Sequence, residues 1–175
     1  MFDFKNFTTK NYETLFKTQI AGTARNPIYL KDTILTTCIL VVGQVALAVT
    51  IPSLTAYIIA KYEFKLKKFI YNVSIVSFII PSVGSIATTY KLMTKLNLLN
   101  TYLGMFIMAA GGFGLGFLLF KNFFAAIPWD YAESAFLDGA TDLGVFVRIM
   151  YPQALPILTA IAITAFIGCW NDYST

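Results

Sequence analysis

The sequence predicts an all-α fold, a polytopic membrane helix bundle of four transmembrane helices with one long cytoplasmic loop. The first observation is composition: apolar residues (AVILMFWYC) form 57 % of the chain, charged residues form 13 %, and the mean hydropathy is +0.68. A soluble domain has about a quarter of its residues charged. The second observation is that the charges leave four long segments free. The third is that each of these segments is long enough to cross the hydrocarbon core, which takes about 20 helical residues.

These four uncharged segments are predicted to be transmembrane helices A to D, and each is at least 22 residues long. They cover residues 33–60, 69–90, 96–120 and 149–171. Prolines interrupt three of them, at Pro52 in A, Pro81 in B, and Pro152 and Pro156 in D. In a membrane bundle neighbouring groups can satisfy the carbonyls that a proline frees, so we expect kinks rather than broken helices.

Helix C is rich in glycine, and Gly112 and Gly116 form a GxxxG pair. Such a pair permits two helices to approach closely. Ordinary bundle packing is the more typical role of these glycines, and a role in lining a pore or in a hinge is the alternative.

The loops predict the orientation of the helices. The A–B joint, Lys61 to Lys68, carries four lysines, and the positive-inside rule places it in the cytoplasm. Alternation then places the 28-residue loop 121–148 inside and residues 1–32 outside. We therefore expect a multi-pass protein of the cell membrane, with an extracytoplasmic segment 1–32 and a transmembrane domain 33–175. The lysine run is more typical of a topology signal than of a ligand site.

Several functional classes are excluded. The chain has no histidine, which excludes a Ser-His-Asp triad, a Cys-His pair and a histidine metal site. Cys38 and Cys169 lie in apolar runs and suit small buried side chains. The net charge of +4 is too small and too scattered to indicate nucleic acid. The predicted spans carry no charged group of the kind that a membrane enzyme or ion channel requires. We identify no catalytic residue, no metal site and no cofactor site.

The loop 121–148 contains signals for two short helices. Glu133 lies near the positive end of the first helix, and Gly139 suits the left-handed position just past its end. Thr141 and Asp142 can begin a second helix. We expect a helical hairpin joined at Gly139. One interpretation is a hairpin lying on the lipid surface; the other is a surface that a partner approaches closely.

The same loop resembles a known motif. Glu133-Ser-Ala-Phe-Leu-Asp-Gly139, nine further residues and Ile149-Met-Tyr-Pro152 match the spacing of the EAA motif. That motif is EAA, three residues, Gly, nine residues and I-x-L-P, and it marks the membrane subunits of binding-protein-dependent ABC importers. Ser134 replaces the second residue and is also small. Tyr151 replaces the leucine and lies at a membrane boundary.

Further segments resemble the carbohydrate-type permeases of this family, and the similarity is greatest to the MalG-like second subunit of maltose-type importers. These segments are Asn11-Tyr-Glu-Thr-Leu-Phe16, Leu98-Leu-Asn-Thr-Tyr-Leu-Gly104, Asp138-Gly-Ala140 and Trp170-Asn-Asp172. Subunits of this family usually have six transmembrane helices, and the chain matches the second to the fifth. A first and a last helix are therefore expected to be absent, which leaves open whether the chain is complete, truncated or a fragment.

The resemblance implies a function. The family's EAA loop is a coupling helix that docks on a cytoplasmic ABC ATPase subunit, which binds the ATP. The implied docking residues are Glu133, Ser134, Ala135, Asp138 and Gly139, and the implied anchors of the loop on helix D are Ile149 and Pro152. The other implied partners are a second permease subunit, an extracellular solute-binding protein and the lipid bilayer. A sugar is the implied substrate; the alternatives are a permease for amino acids or peptides, or a truncated membrane fragment that does not transport.

Overall fold

The computed structural model describes residues 9–23, 26–79 and 85–172. The chain packs as two compact units, Met1–Val41 and Val42–Thr175. The elements, in chain order, are α1 (Lys10–Lys17), β1 (Gln19–Thr23), β2 (Asn26–Tyr29), α2 (Leu30–Lys61), α3 (Lys67–Ile79), α4 (Ser85–Lys95), α5 (Tyr102–Ala109), α6 (Leu115–Ala126), α7 (Asp130–Leu137), α8 (Asp142–Val145), a π-helical turn (Phe146–Met150), α9 (Tyr151–Gln153) and α10 (Leu155–Trp170).

The first unit contains a short hairpin that the sequence did not predict. β1 and β2 are antiparallel, with Thr23 paired with Asn26 and Gln19 with Tyr29. The register shifts between Gln19 and Ala21. The predicted all-α class is confirmed for the fold as a whole, and this hairpin is an addition to it near the N-terminal side of α2.

Helix α2 is the longest element, with 32 residues, and it continues through Pro52. It covers the segment predicted as helix A. Judged by length and composition, α2 is the one described helix that suffices alone to cross a membrane. A second described span results if the helices on the two sides of Ala154 are counted together, although they meet at 78°.

The segments predicted as helices B and C are each divided. Segment B corresponds to α3 and the first part of α4, and Pro81 lies outside the described residues. Segment C is divided between α5 and α6 by residues 110–114. Gly114 there has φ of +138°, which favours glycine and interrupts the helix.

The break in segment C also separates the two glycines of the predicted GxxxG pair. A Cβ added at Gly112 would lie 3.5 Å from Ile51 Cγ2 of α2. A Cβ added at Gly116 would lie 3.8 Å from Ile161 Cγ2 of α10. Both are ordinary van der Waals distances, so the glycines face two different helices and do not form one close-packing stripe.

The core of the second unit lies where α2, α6 and the loop after α6 meet. Its fully buried members include Tyr57, Phe117, Phe120, Phe124, Ala132, Val145, Met150 and Ala154. Other large apolar side chains point outward: Val42, Ile79 and Ile86 are 70 %, 71 % and 74 % exposed. Exposed apolar surface on this scale requires lipid or further helices to cover it.

The segment predicted as helix D begins as the π-helical turn and bends at Ala154. Pro156 is in the first turn of α10. Because proline lacks the N–H that would bond the carbonyl four residues earlier, the helix cannot run straight from α9 into α10. The bend directs the loop helices away from the axis of α10.

Candidate functional site

The first helix of the loop, α7, presents one buried and one exposed side. Ala132 and Ala135 are buried in the core, whereas Glu133 and Ser134 are exposed. The Ser134 hydroxyl donates to the Asp130 carbonyl oxygen at 2.9 Å, so it is satisfied within the helix. Small buried alanines allow α7 to lie close against the core, and they leave the opposite side free for a partner.

Helix α7 ends in a Schellman motif at the predicted glycine. The Ala140 N–H donates to the Ala135 carbonyl at 2.9 Å, and the Gly139 N–H donates to the Phe136 carbonyl at 3.0 Å. Gly139 has φ of +82°. A Cβ at this position would meet nothing within 4 Å, so the requirement for glycine is conformational and not steric.

The second helix begins at the predicted cap. The Thr141 hydroxyl oxygen accepts from the Gly144 N–H at 3.2 Å, which satisfies a free donor of α8. Val145, Phe146 and Met150 then turn into the core. The buried stripe anchors the second half of the loop as firmly as the alanines anchor the first.

A groove of about 510 Å³ opens on the exposed side of this hairpin. Its walls include Gly139, Leu143, Val147 and Ile149. Leu143 is 65 % exposed, and Leu137, at the end of α7, is 89 % exposed. These side chains form an apolar surface that the chain itself does not cover.

The groove has one charged side chain in its lining, the exposed Arg148, whereas the preceding part of the loop is acidic. Residues 130–142 contain four carboxylates, all exposed, and no lysine or arginine. They are Asp130, Glu133, Asp138 and Asp142. Their negative charge, together with the exposed leucines, suits a partner surface that is basic at its rim and apolar at its centre.

The structure distributes the seven predicted site residues between the exposed surface and the core. Glu133, Ser134, Asp138 and Gly139, implied as docking residues, are exposed. Ala135, also implied as a docking residue, is buried, and Ile149, implied as an anchor, is half-buried against the core. Pro152 is exposed and lies in α9, just before the bend at Ala154.

Sequence reasoning missed the contacts between this loop and the end of α2. The Tyr62 hydroxyl donates to Asp142 Oδ1 at 2.7 Å. Lys61 Nζ donates to the Ile127 carbonyl oxygen and lies 6.0 Å from the centre of the Trp129 ring. Tyr62 and Trp129 also meet edge to face, with ring centres 5.8 Å apart. The tyrosine and tryptophan were visible in the sequence, but no local pattern pairs them.

The surroundings of Tyr62 favour the neutral, proton-donating form of its hydroxyl. Burial raises the pKa of its hydroxyl well above the ordinary value, and the hydrogen bonds with Tyr57 and Asp142 raise that pKa further. The hydroxyl oxygens of Tyr57 and Tyr62 are 3.5 Å apart. A tyrosine hydroxyl is neutral at physiological pH in any case, and these surroundings favour its neutral form further.

Within residues 9–23, 26–79 and 85–172, no three acidic, cysteine or histidine side chains are grouped in a way that could hold a metal ion. The features that the loop does combine are an exposed acidic and apolar surface, two buried anchoring stripes, and a link to α2.

Comparisons with known proteins cover this region. Residues 48–175 match the family model described as a binding-protein-dependent transport system inner membrane component. The chain is 33 % identical over 141 residues to the diacetylchitobiose uptake system permease protein NgcG of Streptomyces coelicolor, covering 79 % of the chain and 46 % of that protein. It is 32 % identical over 146 residues to the melibiose/raffinose/stachyose import permease protein MelC of Bacillus subtilis, covering 82 % and 53 %.

A solved structure has the same fold. It is the crystal structure of a bacterial ABC transporter involved in the import of the acidic polysaccharide alginate. The TM-score is 0.68 at 23 % identity, and the match covers 78 % of this chain and 48 % of that one. The chain thus spans about half the length of the curated relatives it matches.

Proposed function

Because the chain belongs to the family of binding-protein-dependent transport system inner membrane components, we propose that it acts as a permease subunit of an ATP-driven sugar importer. The sugar assignment is supported by the names of two relatives, one a diacetylchitobiose permease and the other a permease for melibiose, raffinose and stachyose. A permease for amino acids or peptides, or a fragment that does not transport, are the alternatives. The partners in this proposal are an ABC ATPase subunit, a second permease, a solute-binding protein outside the cell, and the bilayer crossed by helices A to D.

The single observation that carries the proposal is the exposed surface of α7 and α8. Leu137 is 89 % exposed at the end of a helix whose other side is buried. Leaving a leucine in water is unfavourable by about 2 kcal/mol relative to burying it. A docked ATPase subunit removes that penalty and meets the four carboxylates around it with basic side chains.

The contacts of the loop determine to which helices a movement of the docked subunit is transmitted. α8 continues through the π-helical turn and α9 to the bend at Ala154, so a push on the loop reaches α10. The same push reaches α2 through the bond from Tyr62 to Asp142 and the bond from Lys61 to Ile127. The loop therefore moves two long apolar helices together, which is what a change of access across a membrane requires.

The chain contributes no ATP chemistry in this proposal. ATP is bound and hydrolysed by the partner ATPase subunit, and closure of the ATPase dimer moves the loop. The substrate is delivered from outside by the solute-binding protein. The helices then alternate between inward and outward access.

Site-directed cross-linking tests the proposal. Ser134→Cys, in a Cys38→Ser/Cys169→Ala background, is assembled with the ATPase subunit, the second permease and the binding protein. A reagent that joins cysteine to lysine should link position 134 to the ATPase subunit. The matched control is Thr94→Cys, an exposed position on α4 with the opposite predicted sidedness. Equal yields at both positions, or a yield at position 94 alone, would contradict the docking assignment.

A further inference from the structure

A second cavity shares no lining residue with the groove of the loop 121–148. It has a volume of about 540 Å³ and opens where the end of α2, the start of α3 and the middle of α6 meet. Four lysines line it: Lys65, Lys67 and Lys68 from the joint and α3, and Lys121 from α6. The sequence explained the first three as a topology signal. The structure adds a fourth that is remote in sequence, and it encloses a space between them.

The charge of this lysine pocket is only partly neutralised. Glu63 is the one acidic residue in the lining, and its carboxylate pairs with Lys67 Nζ at 2.5 Å. Lys121 Nζ lies 4.7 Å from the centre of the Tyr71 ring. Lys65 and Lys68 are exposed, and the described part of the chain offers neither of them an ion pair. Four lysines against one glutamate leave a formal charge of +3, which attracts an anion.

The remaining walls of the pocket are apolar. Ile59, Phe64 and Tyr71 complete the lining. Beside it, Leu66 and Phe69 are 61 % and 66 % exposed. A free phosphate ion makes no favourable contact with apolar walls. A phospholipid, in contrast, carries an acyl chain that can contact these walls while its phosphate contacts the lysines. Lysines with aromatic and aliphatic neighbours are also the usual composition of a membrane interface.

We propose that the lysine pocket binds the phosphate of an anionic phospholipid headgroup from the cytoplasmic leaflet. Lys65 and Lys68 supply the uncompensated charge, Lys67 and Lys121 flank it, and the acyl chains lie along the apolar wall toward Ile59. Basic pockets between the cytoplasmic ends of membrane helices recognise headgroups in this way. The proposal rests on the proposed function and on the cytoplasmic placement of the lysine joint that the sequence predicts, but its test needs neither ATPase nor substrate, so the two can fail separately.

The test is native mass spectrometry of the purified chain in detergent, titrated with palmitoyl-oleoyl-phosphatidylglycerol. The variant is Lys65→Gln/Lys68→Gln. The matched control is Lys91→Gln/Lys95→Gln, which removes two exposed lysines from α4 and changes the net charge equally. Since each lysine near anionic lipid contributes about 1 kcal/mol, the variant should bind the lipid about 30-fold more weakly. The control should bind like the wild type, and neutral phosphatidylcholine should show no difference among the three.

Other outcomes overturn the proposal. Equal loss of phosphatidylglycerol in the variant and the control would show that net charge alone attracts the lipid. Displacement of the lipid by millimolar inorganic phosphate would show a site for the free anion. Binding of phosphatidylglycerol to Lys65→Gln/Lys68→Gln that equals binding to the wild type would show that the pocket does not hold the headgroup. Circular dichroism and gel filtration of both variants establish that the fold is intact, so a loss of binding reports on the pocket.

Discussion

The Tyr62 hydroxyl donates a 2.7 Å hydrogen bond to the Asp142 carboxylate and so joins the end of α2 to the start of α8. Asp142 is the first residue of the helix that follows the predicted glycine turn. Together with the bond from Lys61 to the Ile127 carbonyl, this contact holds the loop 121–148 at two positions against the end of α2. While these two hydrogen bonds persist, α2 must move together with the loop.

The first prediction concerns this bond. Tyr62→Phe removes the donor but keeps the ring that packs against Trp129. We expect a loss of stability on the order of 1 kcal/mol, measured as a lower midpoint of thermal unfolding in detergent. In the assembled importer we also expect more ATP hydrolysed per sugar taken up, because the loop then moves partly without α2.

The control for this prediction is Tyr71→Phe. Tyr71 is half-buried like Tyr62, and the described residues give its hydroxyl no hydrogen bond. A double-mutant cycle of Tyr62→Phe with Asp142→Asn isolates the pair from the helix-end effect of Asp142. Additive losses of stability would mean that the hydrogen bond contributes nothing.

The second prediction concerns Gly139. Gly139→Ala places a Cβ in open space but at φ of +82°, which costs about 1–2 kcal/mol. The hairpin should distort, while the apolar segments still insert because their hydrophobic length drives insertion. We therefore expect near-normal abundance in the membrane, with reduced sugar uptake and reduced recovery of the ATPase subunit.

Gly111→Ala provides the matched control for Gly139→Ala. Its Cβ would also meet nothing within 4 Å, and its φ lies outside the left-handed region. It should leave both uptake and ATPase recovery unchanged. If Gly139→Ala behaves in the same way, the hairpin lies on lipid and does not couple the subunits.

The third prediction concerns orientation. Single cysteines are introduced as Lys65→Cys and Lys95→Cys, in a background without Cys38 and Cys169. Both positions are exposed. A membrane-impermeant maleimide applied to intact cells should label position 95 and spare position 65 until the membrane is opened. Labelling of both positions in intact cells would contradict the four-helix topology.

Local signals in the sequence predicted the coupling loop in detail. Gly139 is in the left-handed region and Thr141 caps the second helix, each as expected, whereas Ala135, which the resemblance implied as a docking residue, is buried. The first two features depend on a few neighbouring residues, so they can be predicted from the sequence alone. The family resemblance drawn from the same residues is confirmed by the match over residues 48–175.

Features that depend on distant residues were not predicted. Tyr62 and Asp142 are 80 residues apart, and nothing in either neighbourhood indicates the other. The division of segment C depends on Gly114 at positive φ, whereas four nearby glycines suggested close packing of a continuous helix. The lysine pocket forms because the packing of the chain brings Lys121 of α6 next to the lysines at the start of α3, and the sequence alone does not indicate that packing.

The measurement that tests the central claim most directly is recovery of the ATPase subunit with Leu137→Glu. Leu137 is 89 % exposed, so the substitution disturbs no internal packing, and it adds a charge to the centre of the proposed docking surface. The control is Leu66→Glu, a 61 % exposed leucine in the joint between α2 and α3. We expect Leu137→Glu to lower co-purification of the ATPase subunit by about tenfold or more, while Leu66→Glu retains it. Equal recovery of the ATPase subunit with both variants would contradict the claim that this loop is the docking surface for the ATPase subunit.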